Sequence, residues 1–135
     1  MSNKNWFLIT TADERSWKKD SSILFLGEWC RTKGQDDYWK DVITATVPPY
    51  GIGDGQRQKD VEYIDALYES LLLELHEKLN DLHGTHYSVR YWRILLGTWL
   101  FRYTTMVFNR WQTIKNATDN YEIFDSIVLD IPTTD

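Results

Sequence analysis

Ile23-Leu24-Phe25-Leu26-Gly27-Glu28-Trp29-Cys30 is the stretch whose reading decides the fold. Its first four residues are apolar without a break. An unbroken apolar run, rather than an alternating one, suits a strand covered on both faces, as in a parallel sheet. Upstream, Trp6-Phe7-Leu8-Ile9 is a second run of the same kind, ending in Thr10-Thr11. Residues 12–19 between them read as one or two helical turns, capped by Thr10 or Thr11. Downstream, residues 36–41 suit a short helix. Residues 42–47 carry β-branched side chains and read as a third strand, which Pro48-Pro49 ends. Residues 123–129 read as a fourth.

Two long helices separate the third and fourth strands. Val61, Ile64, Leu67, Tyr68, Leu71, Leu72, Leu75, Leu79 and Leu82 recur at helical spacing, with Lys, Glu and Asp on the other face. Gly84 stands where a left-handed cap residue is wanted. The second helix is expected from the N-cap Ser88 to about Ile114. Its main apolar stripe is Trp92, Leu95, Leu96, Trp99, Leu100, Tyr103, Met106 and Val107. Ile94, Phe101 and Phe108 lie opposite, which predicts burial on more than one face. Strands separated by helices give an α/β layer architecture, expected as one domain over residues 1–135.

Composition agrees with a globular chain of this size. Of 135 residues, 42% are hydrophobic and 26% charged, which excludes a disordered or low-complexity segment. One Cys excludes an intramolecular disulfide framework. The net charge of −5 argues against a nucleic-acid coat. Residues 1–6 lack the apolar run of a signal peptide. The most apolar stretch, residues 94–101, falls far short of the roughly 20 residues a membrane span needs. A cytoplasmic location with no membrane span is the resulting expectation.

Charge is unevenly distributed. From Leu82 to Thr118 there is no Asp or Glu, while Arg90, Arg93, Arg102, Arg110 and Lys115 fall inside that window. A basic window in an acidic protein suits a local anion site. The alternative is that these arginines pair with acids on neighbouring elements.

Several constellations carry chemistry. Gly27-Glu28-Trp29-Cys30 leaves the carboxyl end of a strand, where open α/β sheets bind ligands. Glu28 suits a general base or a sugar-hydroxyl ligand, and Trp29 a stacking surface; a cap with a packed Trp and a buried Cys is the alternative. Arg90 and Arg93 share a face at the start of the second long helix, where unpaired N–H groups favour anions. His86 beside them suits an acid or base. An acid from the first long helix would also explain the two arginines. Gly51-Ile52-Gly53-Asp54-Gly55 fails the dinucleotide pattern, since Gln56 stands at the position of the third glycine, and reads as a surface turn. No histidine spacing suits a metal, and no cofactor is expected.

Residues 7–12, 23–30 and 88–100 together resemble the amino-terminal region of the bacterial LIC12162-type transferases. The most specific part is Arg90-Tyr91-Trp92-Arg93, followed by Gly27-Glu28-Trp29-Cys30. Thr98 stands where that family has Pro. Those proteins are large, are associated with surface-carbohydrate biosynthesis and are similar to two-domain GT-B glycosyltransferases. The resemblance therefore implies a Rossmann-like parallel sheet with two long helices, an incomplete GT-B amino-terminal domain on the acceptor side. It implies a fragment of a larger transferase, inactive alone, with the carboxy-terminal domain as a missing partner. A nucleotide-activated sugar or a phosphorylated acceptor is the implied ligand. Glu28 and His86 would be the catalytic candidates, and Trp29, Arg90, Trp92 and Arg93 the substrate-binding ones. The expected pocket is one hollow faced by both the strand-end loop and the helix entrance. The other reading is a non-catalytic interaction module presenting a Trp-rich helical surface.

Overall fold

The computed structural model describes residues 5–51, 53, 55–130 and 132. Four short strands form one parallel sheet: β1 (Trp6–Ile9), β2 (Ser22–Phe25), β3 (Thr44–Thr46) and β4 (Ile123–Ser126). Their order is β3-β2-β1-β4. Connections run outward from β1 through β2 to β3, then return past β1 to β4. The direction of winding thus reverses between β1 and β4. Phe7 registers with Ile23, and Ile23 with Thr44. The unbroken apolar runs lie where full coverage was expected: Phe7, Ile9, Ile23, Leu24 and Phe25 have no exposed surface. Trp39, from the short helix α1 (Asp36–Trp39), closes edge-on over Phe25 with ring centres 5.3 Å apart.

The turn after β1 is shorter than expected. Only Glu14–Ser16 forms a single 3-10 turn, and Asp13 rather than a threonine caps it, accepting from the Arg15 backbone N–H at 3.0 Å. Arg15 then clamps the same carboxylate through its side chain, with Nη2 2.6 Å from Oδ2.

The chain divides into two compact units. One comprises Met1–Tyr50 with Thr113–Asp135 and holds the sheet; the other, Gly51–Gln112, is a helical hairpin. The hairpin is α2 (Gln56–His83) and the first three-quarters of α3 (Val89–Asn120). Helix α3 runs several residues past the expected end at Ile114, and its last turns belong to the sheet unit, where Ala117 is fully buried.

Within the hairpin, the core is Leu72, Trp92 and Leu100, with Tyr68, Leu71, Leu75, Leu79, Val89 and Leu96 packed around it. The buried side of α3 is the four-residue progression Trp92, Leu100, Thr104 and Phe108. This corrects the expected stripe. Leu95, Trp99, Tyr103, Met106 and Val107 are exposed, as is Ile94. Two helices in contact bury one strip of each, and the apolar residues of α3 cover far more of its circumference than one neighbour can cover.

Candidate functional site

The strand-end segment is built by β2. Glu28–Cys30 forms a 3-10 turn directly after Gly27. Gly27 is extended, at φ −169°, so its backbone would suit any residue; space excludes the others. A Cβ there would meet the Trp29 ring at 1.9 Å. The indole lies flat on Gly27, and its N–H reaches the Thr10 carbonyl at the end of β1, 3.4 Å away. More than half of the Trp29 surface still faces solvent. Glu28 is exposed beside it. Cys30 is sealed beneath, its thiol donating to the Ile9 carbonyl at 3.4 Å. Burial pushes that thiol's pKa up, which removes it as a nucleophile at neutral pH.

The turn between α2 and α3 is organised by Asn80. Gly84 takes the left-handed conformation at φ 65°, and the Gly84 and Thr85 N–H groups close onto the Asp81 and Asn80 carbonyls at 3.4 and 2.9 Å. This is the Schellman pattern, and it satisfies carbonyls that the helix end leaves free. The Asn80 side-chain oxygen accepts from Thr85 Oγ1, the Tyr87 N–H and Trp92 Nε1. Ser88 caps α3 as expected, its Oγ accepting from the Tyr91 N–H at 3.2 Å. Trp92 is 7% exposed and packs in the hairpin core. His86 and Arg90 are exposed on the outside of this turn.

Arg93 turns the other way, toward α2. Its two terminal nitrogens meet the two Glu69 oxygens at 2.6 and 2.7 Å, a bidentate pair at the surface. The guanidinium lies 5.7 Å from the centre of the Tyr68 ring. The pair holds the Glu69 carboxyl below its usual range and raises the Arg93 pKa. An acid from the first long helix does account for one of the two arginines.

A hollow of about 420 Å³ opens next to that pair, lined by Tyr68, Arg93, Gly97, Thr98, Phe101 and Arg102. Gly97 lets the Tyr68 hydroxyl approach: a Cβ there would stand 2.7 Å from it. Tyr68 packs edge-on against Phe101, ring centres 5.7 Å apart. The hollow contains no carboxylate among its lining residues. Glu69 offsets the charge of Arg93, whereas Arg102 has no ion-pair partner among the described residues. A second hollow, also about 420 Å³, continues along α3 past the same Phe101 and Arg102 to Arg110.

Of the predicted site residues, Arg93 lines the first of these two hollows. Glu28 and Trp29 belong to the sheet unit, and His86, Arg90 and Trp92 to the hairpin turn. Tyr68, Gly97, Phe101 and Arg102 were missed as site residues. The available signal was Gly97, a glycine in a helix interior, where it costs roughly 0.5–1 kcal/mol relative to Ala and so calls for a packing reason. Ile52 and Asp54 of the glycine-rich turn lie outside the described residues. Among the described residues no group of three or more His, Cys, Asp or Glu is placed to hold a metal ion, and no helix is long and apolar enough to cross a membrane.

No curated protein and no solved structure matches the chain. The sequence model of the LIC12162 family transferases matches it over residues 6–134. That match takes in both the strand-end segment and the arginine-bearing hairpin, and the chain belongs to the LIC12162 family of transferases.

Proposed function

We propose that this chain is the amino-terminal, acceptor-side part of a transferase that moves a sugar from a nucleotide-activated donor in surface-carbohydrate biosynthesis. The observation that carries the reading is the acid-free hollow holding Arg102. Its volume of about 420 Å³ falls in the range of roughly 300–1,000 Å³ typical of small-molecule clefts. Guanidinium, phenol and threonine hydroxyl groups there match a phosphate or diphosphate next to a sugar. The strand order β3-β2-β1-β4 is also that of the first four strands in a doubly wound nucleotide-binding sheet.

In such a transfer, an acceptor hydroxyl gives its proton to a base as its oxygen bonds to the anomeric carbon. The bond from that carbon to the diphosphate oxygen breaks, and negative charge grows on the leaving group. His86, in the same unit as the arginines, would take the proton; Glu28, in the sheet unit, is a separate candidate for binding a sugar hydroxyl. Arg93, Arg102 and Arg90 would bind or neutralise phosphate, which lowers the barrier when the cations are already in place. Trp29 would offer its exposed face to a sugar ring. The donor is expected to require a carboxy-terminal domain, so this chain alone should not transfer sugar.

Calorimetry with pyrophosphate, nucleoside diphosphates and phosphosugars tests the reading. Binding in the parent that Arg102→Ala abolishes and Arg93→Ala weakens is expected. Absence of binding in the parent, or equal binding in the variants, overturns it. Sugar transfer by the chain alone would refute the expected dependence on a second domain.

A further inference from the structure

Over residues 89–112, the exposed side of α3 is apolar and cationic, with nothing acidic. Leu95, Trp99 and Met106 follow at steps of four and seven, and all are exposed, Trp99 at 57%. Arg102 and Arg110 fall into the same progression, giving 95, 99, 102, 106, 110, one face of a helix. Trp99 is already stacked on Tyr103, ring centres 5.4 Å apart and planes within 15°. A stacked pair has already given up side-chain freedom that binding would otherwise cost.

The outer side of α2 carries the complement. Glu62, Ala66, Glu69, Leu73 and Glu77 are all exposed and follow the identical spacing of four, three, four, four. Helix α2 holds seven acids against three bases, whereas residues 89–112 hold four arginines and no acid. The hairpin is thus split into an anionic and a cationic helix, each with an uncovered face.

We propose that the α3 face docks on the outer α2 face of a second copy of this chain, two hairpins pairing into a four-helix bundle. Aligning the two progressions sets Trp99 and Met106 against Ala66 and Leu73, and Arg110 and Leu95 each against a glutamate; Arg102 falls opposite Glu69, whose carboxylate Arg93 of the same chain already holds. The contact joins two different faces, one from each copy, and each copy carries both. An anionic lipid surface fits less well, because the acids of α2 and the net charge of −5 would repel it. The inference does not rest on the transferase reading, because its readout involves no ligand.

Sedimentation velocity across a concentration series tests it with two charge-reversed chains. One is Arg102→Glu with Arg110→Glu; the other is Glu62→Arg with Glu77→Arg. The parent is expected to dimerise, and each variant alone to associate at least tenfold more weakly with an unchanged circular dichroism spectrum. A one-to-one mixture of the two variants should dimerise again, because each then offers the charge the other lacks. Trp99→Glu, which leaves the arginines in place, should also be monomeric. A parent that stays monomeric overturns the proposal. So do variants that associate like the parent, a mixture that fails to recover, or binding of the parent to anionic vesicles in place of self-association.

Discussion

The indole N–H of Trp92 donates to the side-chain oxygen of Asn80 across the helical hairpin, at 3.0 Å. The same oxygen serves Thr85 and Tyr87, so one amide fixes the end of α2, the turn and the first turn of α3.

Asn80→Ala should therefore cost more than a surface substitution. It leaves the N–H of a 7%-exposed indole without an acceptor. A loss of about 1–3 kcal/mol is expected in urea unfolding. Asn80→Asp, which keeps the acceptor oxygen, should lose less.

The revised core of the hairpin is testable by truncation. Leu72 is fully buried and Leu95 is 58% exposed. Leu72→Ala should lose about 2–5 kcal/mol. Leu95→Ala, measured at low micromolar concentration, should stay within about 0.5 kcal/mol of the parent.

Acid should weaken both carboxylate–guanidinium clamps. Arg15 lowers the Asp13 pKa from 3.8 to about 2, and Arg93 holds Glu69 below its ordinary 4.5. A carboxyl with a lowered folded pKa stabilises the fold above its unfolded pKa and loses that contribution as pH falls through the folded one. Melting temperature should thus decline as pH drops below about 4.5 toward 2. The Asp13→Asn, Glu69→Gln double variant should decline less steeply. Both pairs lie at the surface, so the effect should be small and should shrink in salt.

Gly97→Ala separates the hollow from the helix that carries it. Alanine gains about 1 kcal/mol of helix propensity over glycine. The new methyl group would meet the Tyr68 hydroxyl at 2.7 Å and must displace it. Stability should therefore stay near that of the parent while pyrophosphate affinity, measured by calorimetry, falls.

Gly27→Ala should move Trp29. The added carbon overlaps the indole, which can only swing outward and release the Thr10 carbonyl. A red-shifted tryptophan emission relative to the parent is expected, and an unchanged spectrum would show that the ring does not cover Gly27.

The sheet could be read from sequence because its signals are local. Phe7–Ile9 and Ile23–Phe25 are unbroken apolar runs, and such runs tolerate no solvent face. The Gly84 stop and the Ser88 start of the helices were legible for the same reason: a cap is a contact within one turn. Which side of α3 is buried was not legible. Trp92, Leu95, Leu96, Trp99 and Leu100 satisfy helical periodicity together, and only the position of α2 separates the buried members from the exposed ones. The site was half legible. Arg93 stood out in an acid-free window, but Glu69 lies 24 residues away on another helix. The hollow itself depends on a hydroxyl approaching a missing side chain, which no spacing rule encodes.

The protein has a single cysteine, Cys30, fully covered beneath the strand-end turn. A thiol reagent can reach it only when that part of the molecule opens. The rate of labelling therefore counts openings of the sheet unit alone, without an engineered probe, while the hairpin stays silent. Comparing that rate with far-ultraviolet loss of helix would tell whether the two units unfold in one step or in sequence.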